Sequence, residues 1–440
     1  MAQTTHPLPR GGYWSFYWPL ALTSLVSLFT QQLQNATLAR YPDAARELAT
    51  FALAAGVFHL FDAALAFVPQ MVTVLARSRA SAAICRRFVL GVCLILTVPV
   101  LIIAIPQVGG PFVGAVFNIS GPVRAAVLLY MALLAPNIVM AGLRFYYSGL
   151  VVQAQRTGVM TAINVMHLAV VLGMLLVGFH AGWLPVITIG GAQLAASVAS
   201  LVALHVVAAR CAGTGWNENT PTVTWYEVFD FFWPVALTSV MFSLSRPILY
   251  SFLGRLPEPE PVIAAMRVGF DCAMIFHNFL NQFRHLFATF GAGDTAGIRR
   301  FMFRVTAVVV TAMVVAVFTP LAHVVIHDLI GVQGPVLAMT RQVLMVMCLL
   351  PILVTVRNYF HGLAMVRRRT GPMGAGAVGR NAMTYLAAWA LFSLGRLNHV
   401  TAAAVLVLGF AAETAVVILG DRLRRAPKPV VKDDEGDEES

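Results

Sequence analysis

Trp18-Pro-Leu-Ala-Leu-Thr-Ser24 and Trp233-Pro-Val-Ala-Leu-Thr-Ser239 are nearly the same heptapeptide, 215 residues apart in one chain. Arg40 and Arg255 stand at the same offset, so the register holds along the whole apolar stretch that follows each tryptophan. A second pair lies further on. Arg144-Phe-Tyr-Tyr-Ser-Gly149-Leu, then Arg156-Thr-Gly158, returns as Arg357-Asn-Tyr-Phe-His-Gly362-Leu, then Arg369-Thr-Gly371, now 213 residues apart. Pro136 and Pro351 still differ by 215, which puts a two-residue length change between proline and arginine. A tryptophan beside a helix-start proline is ordinary interfacial chemistry, but two long matches at nearly one offset indicate an internal duplication.

The composition says in what solvent the duplicated unit sits. Of 440 residues, 59% are hydrophobic and 11% charged, against roughly 25% charged in soluble domains. Apolar runs of about 20 residues, enough to cross a hydrocarbon core, recur along the chain. Read against their breakers they give about twelve spans, near 14–36, 48–75, 88–107, 123–152, 159–179 and 184–210, then 227–253, 261–290, 302–326, 337–365, 373–394 and 398–421. The expected fold is therefore an all-α polytopic membrane protein of two six-helix bundles. Its expected divisions are an N-terminus (1–13), a first bundle (14–210), a linker (211–226), a second bundle (227–421) and a charged tail (422–440). Six helices per half make the copies parallel, related by an axis along the membrane normal with a central cavity between them.

Arginines in alternate loops orient the chain. Arg77, Arg79, Arg86, Arg87, Arg156, Arg210, Arg299, Arg300, Arg304, Arg367 to Arg369 and the basic residues from Arg422 to Lys432 fall on one side. Arg40, Arg46, Arg124, Arg255, Arg341 and Arg396 fall on the other, so the positive-inside rule places both termini, the linker and the tail in the cytoplasm. This topology also accounts for the net charge of +11, leaving no call for a nucleic-acid partner. Arg10 precedes a long apolar run without a small-residue cleavage site, so a removable signal peptide is not expected. The acidic run from Asp433 to Glu438 is read as a solvated tail. Five scattered cysteines supply neither a disulfide framework nor a metal motif, and no Walker, HExxH or nucleophile-elbow sequence occurs. The chain is expected to be neither an enzyme nor a holder of a cofactor or metal.

Charged groups at membrane depth mark cavities, pathways or buried pairs. Within the spans stand Arg144, Arg246, Arg267, Arg284, Arg357 and Arg380 against Asp62, Asp271 and Glu413. Ser243, Ser245, Arg246 and Pro247 break the seventh span; the repeat offset sets Arg246 opposite Gln31, in a polar stripe with Thr23, Ser27, Gln34 and Asn35. On the eighth, Arg267, Asp271, Asn278, Asn281 and His285 share a face with His277 and Arg284 beside it. Arg267 and Asp271, four residues apart, read as an internal salt bridge, whereas Arg284 has no acid one turn away. Arg144 and Arg357 suit either a cavity mouth or interhelical staples. Arg380 and Glu413 read as an ion pair, and Asp62, near His59, as a proton site or a structural carboxylate. Candidate substrate contacts are Arg246, Arg284, Gln31, Asn35, Ser243, His277, Asn281, Arg357 and Arg144; Asp62 and Asp271 are candidates for coupling. An arginine excess of this kind suits a small anionic substrate bearing carboxylate or phosphate oxygens.

These stretches resemble the progressive ankylosis protein family, a branch of the superfamily that also holds MATE exporters and lipid-oligosaccharide flippases. The resemblance is carried by Phe232-Trp-Pro-Val-Ala-Leu237 with Ser245-Arg-Pro-Ile248, and by Pro351, Val354-Thr-Val-Arg357, Gly362, Met365 and Arg368-Arg-Thr370. Ile326-His-Asp-Leu-Ile-Gly-Val332, Leu48-Ala-Thr-Phe51, Arg284, Arg380, Gly409-Phe410 and Glu413-Thr414 extend it from Trp18 to Thr414. It implies a non-enzymatic transporter of pyrophosphate, ATP or citrate-like anions. The tail is much shorter than in the animal members, and the compact, lysine-poor chain points to a bacterial cytoplasmic membrane. A MATE-like cation or drug antiporter, a lipid-linked precursor flippase and a non-transporting scaffold are the competing readings. A monomer is compatible with the sequence, which leaves oligomeric state open.

Overall fold

The computed structural model describes residues 12–154, 156–211, 213, 216, 221–290, 293–366 and 371–423. Arg10, Arg367 to Arg369, most of the linker and the tail from residue 424 lie outside the described residues, as do the side chains of Thr23, Ser27, His285 and Met365. Every regular element described is helical.

Fourteen elements fall into two sets of seven. The first set is α1 (Gly12–Leu38), α2 (Ala44–Leu75), α3 (Arg79–Ala104), α4 (Pro106–Phe117), α5 (Gly121–Gln153), α6 (Thr157–His180) and α7 (Pro185–Cys211). The second is α8 (Trp225–Leu253), α9 (Pro259–Asn281 and Phe283–Phe290), α10 (Thr295–Phe318), α11 (Leu321–Ile330), α12 (Gly334–Met347 and Leu350–Val366), α13 (Gly371–Ser393) and α14 (His399–Leu423). The starts keep the register of the repeat. α2 and α9 open at 44 and 259, α4 and α11 at 106 and 321, α7 and α14 at 185 and 399. Even the irregularities recur. The 3-10 turn Ala63–Phe67 interrupts α2, and α9 breaks at Gln282, 215 residues after Phe67. Among the described residues ten segments are long and apolar enough to cross a bilayer, and α1 and α13, of 27 and 23 residues, bring the long helices to twelve.

Packing repeats with the register. α5 lies against α2, α3 and α7 as α12 lies against α9, α10 and α14. α6 packs on α1 and α7 as α13 packs on α8 and α14, while the halves meet through α1 on α9 and α2 on both α8 and α9.

Two spans differ from the sequence expectation. The third runs 79–104 and the ninth 295–318, both starting roughly two turns or more early because a cap fixes the start. Ser78 Oγ accepts from Ser81 N (3.2 Å), and Asp294 Oδ1 from Gly297 N (2.6 Å). At the other end the apolar runs do not continue the span. Pro106 opens the separate α4, and Pro320 precedes α11; each is too short to cross and stops at a left-handed residue, Asn118 (φ 55°) or Gly331 (φ 90°).

These short helices receive a crossed pair of clasps at the end remote from the termini. Arg40, closing α1, donates through Nη1 to Ile330 O (2.9 Å) and Nη2 to Leu329 O (3.0 Å) on α11. Arg255, beyond α8, donates through Nη2 to Ala115 O (2.8 Å) and Nη1 to Val116 O (2.9 Å) on α4. Each guanidinium also donates to a carbonyl of its own helix, Ala36 and Ser251 respectively. The last carbonyls of a helix have no internal partner and carry its negative end, so a cation is the matching cap.

The repeated glycines serve close approach. A Cβ at Gly149 would overlap Val72 Cβ and the Pro69 carbonyl; one at Gly362 would overlap the Phe287 ring. Val72 and Phe287 are themselves 215 apart, so each half seats α5 or α12 on the tail of its second span in the same way. We expect Gly149→Ala and Gly362→Ala each to destabilise the protein by about 1–3 kcal/mol through overpacking, read as a lower thermal unfolding midpoint in detergent. An unchanged midpoint for Gly149→Ala would contradict the contact with backbone at Pro69.

Candidate functional site

The polar residues of the bundle gather into two centres, with α8 between them. Neighbouring residues on a helix diverge by roughly 100°. Arg246 accordingly faces one centre, while Ser245 Oγ donates to Asn381 Oδ1 (2.7 Å) and accepts from Arg380 Nε (3.1 Å) in the other.

The first centre is a cavity of about 380 Å³. α1 contributes Thr30, Gln31 and Gln34; α2 contributes Phe51, Phe58 and His59; α5 contributes Arg144 and Ser148. Asn164 and His167 come from α6 and Gln193 from α7, while Arg246, Arg267 and Asp271 cross from the second half. Spacings of three or four along each helix put these groups on one face. The lining runs from Gln34 towards Val152 and Met160, near the end of the molecule that carries the termini.

Asp271 organises the cationic wall. Its Oδ1 lies 3.6 Å from Arg246 Nη1 and its Oδ2 3.7 Å from Arg267 Nη2. Asn35 ties the pair down, accepting from Arg267 Nε (2.8 Å) and donating to Asp271 Oδ2 (3.1 Å). Arg267 also sits 4.2 Å from the Phe51 ring centroid and is 4% exposed, so it is held on every side. Arg246 keeps 23% of its side chain exposed and rests over Phe270 at 4.9 Å, leaving donors turned to the cavity. On the opposite wall Gln34 Nε2 donates to Gln193 Oε1 (2.6 Å). Arg144 Nη1 is 3.4 Å from His167 Nδ1, but that nitrogen also faces Ala196 O (3.2 Å) and Ser200 Oγ (2.9 Å). A carbonyl only accepts, which favours the ring protonated at Nδ1 and leaves Arg144 with donors for something else.

The second centre lies among α8, α9, α12, α13 and α14. Glu413 Oε2 holds Arg380 Nη1 at 2.7 Å and Arg357 Nη1 at 3.3 Å. Arg357 Nη2 donates to Asn281 Oδ1 and Asn358 Oδ1, both at 3.2 Å. Arg284 Nε donates to Asn358 Oδ1 (3.3 Å), and Asn358 Nδ2 to Leu280 O (2.9 Å). His277 packs on Phe410, whose ring also lies 5.4 Å from both Arg357 and Arg380.

The candidate residues thus divide. Gln31, Arg144, Arg246 and Asp271 line the cavity, and Asn35 supports it from behind. Arg284, Arg357, His277, Asn281, Arg380 and Glu413 make the second centre instead of an opposite cavity wall. Ser243 is half-buried and Asp62 lies 3.9 Å from His59 Nδ1; neither is among the described lining residues. Sequence reading missed His167, Ser148, Asn164 and Gln193. The repeat held a signal for the first: the 213 offset joining Arg144 to Arg357 also joins His167 to Arg380 and Ser200 to Glu413.

No family model matches the chain. Solved structures do share its fold. An inward-facing multidrug resistance MATE family transporter of the MOP superfamily superposes with a TM-score of 0.68 at 14% identity, over 91% of this chain and 94% of its own. A eukaryotic MATE transporter, AtDTX14, gives 0.68 at 14% identity over 93% and 94%. The lipid II flippase MurJ, inward closed, gives 0.65 at 11% identity over 91% and 87%. The chain is an all-α polytopic membrane protein that shares the fold of these transporters.

Proposed function

We propose that this protein moves small polyanions across a membrane by alternating access, as a relative of the progressive ankylosis transporters. The observation that carries the reading is the charge of the cavity: Arg144, Arg246 and Arg267 line it, and the one carboxylate among the described lining residues, Asp271, is already engaged by two of them. A guanidinium fork matches carboxylate and phosphate oxygens in two-point fashion. A cation exporter built on this scaffold needs an uncommitted acid in the same place. The volume of about 380 Å³ suits a ligand of pyrophosphate or citrate size. In this reading the termini are cytoplasmic, the membrane is a bacterial inner membrane, and one chain suffices.

Proteoliposomes loaded for uptake of labelled pyrophosphate, ATP and citrate test it. Each bidentate contact contributes roughly 1.5–3 kcal/mol, so Arg246→Ala and Arg144→Ala are expected to raise KM about 10- to 100-fold. Arg246→Lys should recover only part, because an ammonium keeps the charge and loses the fork. Movement of a cationic dye or a lipid-linked diphosphate, with none of the three anions moving, would overturn the reading.

The clasps supply the closed side of the cycle. Arg40 and Arg255 bind the halves together at the end away from the termini, so replacing both with alanine should open that end. A cysteine placed at Gln34 is the reporter, since Gln34 lines the cavity and the five native cysteines are buried. Losing four charge-assisted hydrogen bonds is expected to speed its labelling, by an impermeant maleimide added opposite the termini, about tenfold or more. Equal rates in the double variant would show that the clasps do not hold this side shut.

A further inference from the structure

The two centres occupy equivalent places in the repeat, yet one is hollow and the other filled. Arg144, His167 and Ser200 of the first half correspond at 213 to Arg357, Arg380 and Glu413; Asp62 corresponds at 215 to His277 and Pro69 to Arg284. Where the first half places one guanidinium group, Arg144, beside His167 and Ser200, the second has three guanidinium groups, two imidazoles and a single carboxylate.

That set is not balanced. Arg284, Arg357 and Arg380 carry three positive charges, and Glu413 is the one acid paired with any of them among the described residues. Arg357 and Arg380 are 1% and 2% exposed, and His277 and His361 1% and 2%. Burying an excess charge inside an apolar bundle is costly unless a counter-charge accompanies it. The donors for one are present. Arg357 Nε, Arg380 Nη2 and both ring nitrogens of His277 and of His361 are buried without a protein partner. Each neutral imidazole offers one donor and one acceptor nitrogen, so with the two guanidinium nitrogens four unpartnered donors stand in this cluster. Buried polar atoms of native proteins are nearly always satisfied, which calls for an occupant that accepts hydrogen bonds.

We propose that this second centre is an anion site separate from the cavity, and that it takes a small monovalent inorganic anion of the halide class. Water would satisfy the donors but would leave the excess of two positive charges untouched, whereas a monovalent anion halves it. A polyanion the size of pyrophosphate is excluded by packing, because Arg357, Arg380, His277 and His361 are closed in on nearly all sides, with Arg284 alone half-buried at the edge. The inference does not depend on what the cavity transports.

The test uses the whole protein in detergent without any polyanion. Its thermal midpoint is measured while sodium chloride or bromide replaces sodium gluconate at constant ionic strength. A saturable, halide-dependent rise is expected. Arg284→Gln, which removes a guanidinium that donates to Asn358 and forms no ion pair with Glu413 among the described residues, should raise the half-saturating concentration at least tenfold. Arg246→Gln, in the cavity, should leave it within twofold. Bromide-soaked crystals of wild type should show an anomalous peak among Arg284, Arg357 and Arg380. A midpoint indifferent to halide, an effect abolished by Arg246→Gln and kept by Arg284→Gln, or bromide found only beside Arg144 and Arg246 would each overturn the proposal. Failure of polyanion uptake would not touch it, since the halide measurements contain no transported substrate.

Discussion

A guanidinium inside a membrane bundle has to be answered by something that accepts hydrogen bonds and carries negative charge, and that demand shapes the interior of this protein. Two carboxylates meet it from the chain itself. Asp271 stands between Arg246 and Arg267, and Glu413 between Arg357 and Arg380. Asp271 therefore fixes α8 against α9, and Glu413 on α14 grips both α12 and α13. Removing a partner from such a buried group typically destabilises far more than the pair contributes, because a lone charge is left behind. The acids thus position the arginines and leave each cluster with positive charge to spare.

Duplication produced two scaffolds that agree helix by helix, down to the broken second span and the glycine on which the fourth rests. The interiors diverged. In the first half, Phe145, Ser148 and Ser200 occupy places that hold Asn358, His361 and Glu413 in the second. Ser148 and Ser200 are smaller than the His361 and Glu413 that replace them, and Phe145 gives up the amide of Asn358, so the first half keeps the volume that becomes the cavity whereas the second half fills it with polar and charged groups. Arg246 and Arg267 nevertheless reach back across the interface, so the cavity belongs to both halves although most of its wall comes from one.

Much of this could be read from the chain before any coordinates. Apolar length and breaker positions located the twelve long helices to within a few residues at most ends, because the hydrocarbon thickness leaves little freedom. The repeat gave the pairing of halves, and the spacing of Arg267 and Asp271 announced their contact. Two things stayed out of reach. The short α4 fell between two expected spans and α11 was partly merged with the ninth, since apolar composition cannot tell a crossing helix from one that turns back at a proline. The separation of Arg246 from Arg284 and Arg357 was equally hidden. Both sets lie on polar faces of consecutive helices, and only packing decides that Ser245 and Arg246, adjacent in sequence, look into different centres.

The clasps have a consequence for how such a molecule could arise. Each half contributes one arginine and one short helix, and each arginine reaches the short helix of the other half. A chain of half the length would contain both parts of the device but would be unable to use them on itself. Two copies placed side by side about an axis along the membrane normal would close both clasps at once, since every contact in a two-fold pair is made twice. The same arrangement survives here as an intramolecular symmetry, and it divides the labour of the molecule cleanly. The rim still behaves as a dimer of equals, whereas the interior, released by fusion from the need to stay identical, holds two chemically different chambers.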